Sequence, residues 1–140
     1  HISFAESCTG GMCCGTIVNV PNASRVLDMS FVTYADYAKC KLIGVNEKTV
    51  ADFGVVSEQV AYEMAQGVAK TANSEVGVGV TGIAGPTGAT ETKPVGMVCF
   101  GFCINGEVTT VTKYFGNIGR NNVRKSSVDF VMTQLLKLLD

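Results

Sequence analysis

Two hydrophobic periods run along this chain, and they change over at segments rich in glycine, proline or small polar residues. Ile2 to Ala5 is a short apolar run that predicts a strand, and it passes straight into Glu6-Ser7-Cys8-Thr9-Gly10-Gly11. From about Thr9 to Val20 the pattern predicts a helix, closed by the turn Pro21-Asn22-Ala23-Ser24. Val26 to Tyr34, with the β formers Phe31, Val32 and Tyr34, predicts a second strand. Ala35 to Ile43 predicts a short helix stopped by Gly44, and Glu47 to Phe53 one or two further helical turns. Ser57 is placed to cap a helix that runs to about Ala72, with Glu58 in its first turn. Val60, Met64 and Val68 recur there at helical spacing, as do Ala61 and Ala65.

The second half changes period. Glu75 to Val80 alternates valine with glycine, which predicts a strand whose glycine face another element approaches closely. A second glycine-rich loop, Thr81-Gly82-Ile83-Ala84-Gly85-Pro86, follows it. Val95 to Ile104 and Glu107 to Phe115 flank Asn105-Gly106, a strong hairpin signal. From about Arg120 to Leu139 the stripe Val128, Val131, Leu135 and Leu138 predicts a last helix. Strand–helix units followed by a hairpin and a helix predict an α/β fold. Its expected form is three layers, α/β/α, around a mixed, mostly parallel sheet of about five strands that includes one C-terminal β-hairpin. In such sheets ligands sit beyond the carboxyl ends of the parallel strands, where the loops at Ser7 and Thr81 both fall.

Composition narrows the picture. At 140 residues, 46% of them hydrophobic, the chain is expected to be one domain over 1–140. A net charge of −1 supplies no field for nucleic acid or an anionic membrane, so any anion needs a local site. No apolar run reaches the roughly 18 residues of a bilayer span, and no secretory leader is read at the start, which falls inside a strand pattern. The six cysteines form no Cys-x-x-Cys pair, and His1 is the single histidine. That pattern predicts buried thiols in a reducing compartment, hence a cytoplasmic protein, and no metal site.

Candidate chemistry centres on Ser7. A serine between a strand and a helix start is a nucleophile, a phosphate ligand or an N-cap. Thr9, Gly10 and Gly11 add backbone N–H groups that a ligand can approach closely. The segment matches neither the Walker pattern nor Gly-x-Ser-x-Gly. With His1 alone at the start, a Ser-His-Asp triad is excluded, and a base has to be lysine, tyrosine or carboxylate. Tyr34 and Lys39 fall just past the second strand, on the rim that carries Ser7. Lys39 is either a base with a lowered pKa or a solvated helix lysine. Glu6 is expected to orient the turn or to partner a basic side chain or backbone N–H groups. Arg120 and Arg124, at i and i+4, suit a phosphate or carboxylate but oppose the helix dipole; a solvated face is the alternative.

Five blocks, in order and at matching spacing, resemble the CinA C-terminal domain family. They are Ala5-Glu6-Ser7-Cys8-Thr9-Gly10-Gly11; Val32-Thr33-Tyr34 with Ala38-Lys39; Gly54-Val55-Val56-Ser57-Glu58; Val80-Thr81-Gly82-Ile83-Ala84-Gly85-Pro86; and Lys93-Pro94-Val95-Gly96. The resemblance covers the chain from Ile2 onward. It implies a nicotinamide-nucleotide amidohydrolase that converts nicotinamide mononucleotide to nicotinic acid mononucleotide and ammonia, without metal or other cofactor. It implies Ser7 and Lys39 as catalytic residues with Tyr34 close by, and a site lined by Thr81 and Gly82 with the Thr9-Gly10-Gly11 turn. Arg120 is implied at the nucleotide, with Arg124 as the alternative one turn on. The implied partner is a small nucleotide substrate, with a homo-oligomer left open. Two departures stand out: Tyr34-Ala35-Asp36-Tyr37-Ala38-Lys39 where the family often has Tyr-Ser-Asn-Glu-Ala-Lys, and Gly116-Asn117-Ile118-Gly119-Arg120 where it often has Gly-Asp-Arg. The alternative function is a non-catalytic module of the same family that binds a nucleotide or a partner.

Overall fold

The structure, a computed structural model, describes residues 1–140. Strand β1 (Ile2–Glu6) leads through the serine turn into helix α1 (Met12–Val18). After a 3-10 turn at Ala23–Arg25 come β2 (Phe31–Val32), α2 (Asp36–Ile43), α3 (Glu47–Phe53) and α4 (Glu58–Ala72). Then follow β3 (Val76–Gly82), the hairpin β4 (Met97–Ile104) and β5 (Glu107–Tyr114), and α5 (Arg120–Leu138). The sheet order is β2-β1-β3-β4-β5, and β1 pairs in parallel with both β2 and β3. The β3–β4 and β4–β5 pairs are antiparallel, so only β4 runs against the other four strands. The expected mixed α/β sheet with a C-terminal hairpin is the one present.

The valine–glycine alternation of β3 decides how the layers stack. Val76, Val78 and Val80 join Phe4, Phe100 and Phe102 in one core, closed by Cys13 of α1 and by Val123, Val128, Val131 and Leu135 of α5. The opposite face holds Ala5, Gly77, Gly79 and Gly101 and is covered by α4. A Cβ added at Gly101 would lie 2.2 Å from the Ala61 carbonyl oxygen, and one at Gly79 would lie 2.6 Å from Met64 Cβ. Glycine here is the space into which α4 settles. Gly101→Ala therefore cannot be absorbed by rotating a side chain, since the obstruction is α4 backbone. The expected loss is about 1–3 kcal/mol, read as a lower denaturant midpoint at unchanged slope. A midpoint equal to wild type contradicts this account of the α4 contact.

Three sequence boundaries are corrected. The second strand is not Val26–Tyr34 but Phe31–Val32, with one isolated bridge from Ile2 to Leu27. The Ser30 hydroxyl accepts the Phe4 N–H at 3.0 Å, a donor that a backbone ladder would otherwise use, so regular pairing starts only at Phe31. Helix α1 begins at Met12, not Thr9, because Gly10 and Gly11 have φ of 58° and 98°, outside helical space. The hairpin strand starts at Met97, after Pro94 and a Gly96 held at φ 91°. Glu47–Phe53 is helical, with the Asn46 side chain accepting the Lys48 N–H at its start.

Candidate active site

The carboxyl ends of the parallel strands β1, β2 and β3 open onto a cleft of about 310 Å³. Ser7 stands at the end of β1, 9% exposed, with its N–H donated to the Val80 carbonyl at 3.0 Å. That bond carries the β1–β3 register one residue beyond the strand and fixes the serine backbone. The chain then turns: the Gly10 N–H donates to the Ser7 carbonyl at 3.0 Å. Of the three expected N–H donors at Thr9, Gly10 and Gly11, the Gly10 group is therefore already committed. The N–H groups of Cys8, Thr9 and Gly11 donate to no group of the protein. Cys8 and Thr9 are buried, and a buried donor left unmatched costs about 1–3 kcal/mol, a cost that a ligand oxygen reaching these two groups would offset.

Glu6 settles what occupies the start of α1. Its carboxyl oxygens accept the N–H groups of Cys13 at 2.8 Å and Cys14 at 3.0 Å. The side chain is 1% exposed. The anion at this helix end is thus the protein's own, and Glu6 takes the backbone-partner role expected for it. Burial pushes the Cys8 thiol up to about 11 and raises Cys13 as well, so neither is a ready thiolate at neutral pH.

Lys39, on the first turn of α2, is 1% exposed. Its Nζ lies 3.2 Å from Ser7 Oγ, 2.7 Å from the Thr33 carbonyl and 3.3 Å from the Tyr34 carbonyl. No carboxylate is within ion-pairing distance of it. Burial lowers its pKa from the ordinary 10.5, while Asp36 and the thiols of Cys8 and Cys40 pull in the opposite direction. Three oxygens surround the Nζ: an ammonium would donate to all three, and a neutral amine would keep its two N–H groups on the carbonyls and turn its lone pair to the serine hydroxyl.

The remaining residues divide by position. Thr81 and Gly82 line the cleft, and Thr81 Oγ1 donates to the Val55 carbonyl at 2.9 Å, tying the α3–α4 connection to the end of β3. Val55, Val56, Ile83 and Ala84 give the cleft an apolar wall. Arg120 lines it too, with Nη1 donating to the Gly85 carbonyl at 2.8 Å and Nη2 to the Tyr34 hydroxyl at 3.0 Å. Tyr34 is 59% exposed, so its phenol belongs to Arg120 and the cleft mouth, and only its carbonyl reaches Lys39. Arg124 does not line the cleft. Its Nε donates to the Cys8 carbonyl at 2.9 Å and its Nη2 to the Thr9 carbonyl at 3.5 Å. Thr9, Gly10 and Gly11 are not among the lining residues, although Thr9 directly follows Cys8, which is. Asp36 also lines the cleft, and its place two residues past Tyr34 is the one sequence signal for it.

The model of the CinA C-terminal domain family matches residues 1–139. A Clostridium perfringens protein (strain SM101 / Type A), named as competence-damage inducible, is 47% identical over 139 residues, 99% of this chain and 34% of its own length. A CinA-like protein of Kosmotoga olearia is 45% identical over 141 residues, again 99% of this chain and 34% of its own length. The chain thus spans about a third of these curated relatives. Among solved structures, the competence/damage inducible protein CihA from Agrobacterium tumefaciens superposes with a TM-score of 0.96 at 39% identity, over 99% of this chain and 85% of that one. A competence-damaged protein (CinA) superfamily protein from Escherichia coli gives a TM-score of 0.94 at 33% identity, over 99% and 80%. No helix of this chain is long and apolar enough to cross a membrane. With four of the family's five sequence blocks meeting around one cleft and its model matching nearly every residue, the chain belongs to the CinA C-terminal domain family.

Proposed function

We propose that this chain hydrolyses the carboxamide of nicotinamide mononucleotide, releasing ammonia and leaving nicotinic acid mononucleotide. One observation carries the proposal: a buried lysine without a counter-charge, its Nζ 3.2 Å from the hydroxyl of a serine at the floor of a cleft. Lysine placed so is costly for stability, and it is the form in which lysine acts as a base.

The steps follow from the geometry. Ser7 Oγ attacks the carboxamide carbon as its proton passes to the Lys39 amine. The free N–H groups of Cys8 and Thr9, next to Ser7 in the chain, are the donors offered to the oxygen of the tetrahedral intermediate. Lys39 then returns the proton to the departing nitrogen, the C–N bond breaks, and ammonia leaves behind an ester on Ser7. Water attacks that ester with Lys39 again taking the proton, and the acid is released as Ser7 is reprotonated.

Arg120 is proposed to hold the 5′-phosphate. Two of the guanidinium's five N–H groups are used by Gly85 and Tyr34, and the others remain for an anion at the mouth. The test of the function is to incubate purified protein with nicotinamide mononucleotide and measure ammonia and nicotinic acid mononucleotide together. Folded protein that yields neither overturns the assignment. For the phosphate, Arg120→Ala removes charged hydrogen bonds worth roughly 1.5–3 kcal/mol, so KM should rise about 10- to 150-fold with kcat less affected. Nicotinamide riboside, which lacks the phosphate, should be turned over about equally by wild type and variant. Continued discrimination on the riboside would show that Arg120 does not bind phosphate.

A further inference from the structure

Arg124 makes an arrangement that phosphate binding does not explain. It lies on α5, within the helix layer that closes the valine face of the sheet, yet its guanidinium bonds the serine turn through the Cys8 and Thr9 carbonyls. The Cys8–Thr9 peptide is trans, because the only cis bond in the chain is Gly85-Pro86. In a trans peptide the N–H points opposite to the carbonyl. Holding the Cys8 carbonyl toward Arg124 therefore holds the Thr9 N–H away from it. That N–H has no partner in the protein, and it follows Cys8, which lines the cleft beside Ser7. The turn is pinned at its other end by Glu6 on the α1 N–H groups and by Gly10 N–H on the Ser7 carbonyl. The Cys8–Thr9 peptide has no hydrogen bond within the turn, and Arg124 supplies its restraint. Asn121 Oδ1, 3.1 Å from Nη1, in turn steadies the guanidinium.

We infer that Arg124 is a positioning residue: by clamping the Cys8 carbonyl it orients the Thr9 N–H as an oxyanion donor for chemistry at Ser7. The inference rests on Ser7 being the nucleophile, but not on the identity of the substrate. A donor displaced by about 1 Å costs on the order of 100-fold, and an interaction made only in the transition state is lost from kcat rather than from KM.

The test uses an alkyl fluorophosphonate as probe. Ser7 Oγ attacks phosphorus, its proton passes to Lys39, the P–F bond breaks with loss of fluoride, and the phosphoryl oxygen occupies the same donors as the tetrahedral oxyanion. Labelling of Ser7 is followed by mass spectrometry in wild type, Arg124→Ala, Arg124→Lys and Lys125→Gln, the last removing an exposed neighbouring charge on α5. Wild type and Lys125→Gln should label at one rate, and Arg124→Ala about 100-fold more slowly. Arg124→Lys, with one point-like donor in place of the planar fork, should fall between. Methylguanidinium, but not methylammonium, should restore part of the lost rate to Arg124→Ala, which a general loss of folding would not permit.

Each outcome decides something different. If folded Arg124→Ala labels as fast as wild type, the positioning role is wrong and the dyad stands. If wild type labels in an Arg124-dependent way but does not hydrolyse nicotinamide mononucleotide, the substrate assignment falls and the positioning role stands. If wild type does not label at Ser7, the nucleophile assignment and this inference fall together. If Arg124→Ala turns over nicotinamide mononucleotide with raised KM, normal kcat and no defect on the riboside, Arg124 is a phosphate ligand and the inference is overturned.

Discussion

Ser7→Ala should abolish hydrolysis of nicotinamide mononucleotide, with kcat down about 10³-fold or more, while the protein folds and still binds the nucleotide. The fold should survive because the backbone of residue 7, not its hydroxyl, ties the turn: the N–H meets Val80 and the carbonyl meets Gly10. What the substitution removes is one hydroxyl 3.2 Å from Lys39 Nζ. The measurement is single-turnover kinetics beside equilibrium binding of the same nucleotide. A variant that retains near wild-type turnover would make Ser7 a turn residue, and the mechanism built on it would fail.

Most of the fold is legible in the sequence because it is written in local patterns. Val-Gly-Val-Gly-Val at residues 76 to 80 states both the strand and its close-packed face, and the hairpin is announced by Asn105-Gly106. Two of the departures share a cause, which is a side chain standing in for backbone. Ser30 takes the Phe4 N–H and erases most of a strand that β propensity predicts. Glu6 takes two N–H groups of α1, so the helix end that sequence offers to a substrate anion is already filled. Neither substitution leaves a periodic signal.

The site shows the same division. Ser7, Lys39, Thr81 and Arg120 are picked out by motif and spacing, and the parallel strand ends bring them to one cleft. The positions of the Tyr34 phenol and of Arg124 come from contacts across the chain. Tyr34 is turned to Arg120, 86 residues away, and Arg124 reaches the Cys8 carbonyl across 116 residues. A sequence gives the arginines one turn apart but not which of them faces the cleft. That depends on how α5 sits on the sheet, with Val123, Val128 and Val131 buried and Arg120 carried out to the rim.

Lys39→Met should separate chemistry from stability more sharply than any other change in this chain. The methionine retains much of the lysine stem and fills the same space, but it has no amine to take the Ser7 proton. A kcat loss of about 10³-fold is expected with a smaller change in affinity. Stability should move the other way. Burial lowers the Lys39 pKa in the folded protein, so as pH falls from above 10.5 the unfolded chain takes up its proton first. Wild-type stability therefore declines between 10.5 and the lower folded value and stays reduced below it, whereas the methionine variant escapes that decline. At neutral pH the variant should melt at a higher temperature than wild type while being nearly inactive, the trade-off expected where a strained group serves function. The same lowered pKa sets the activity profile: kcat/KM should rise with pH as Lys39 loses its proton, and this acid limb should be absent from the residual activity of the variant. A variant that keeps the acid limb would show that the base lies elsewhere.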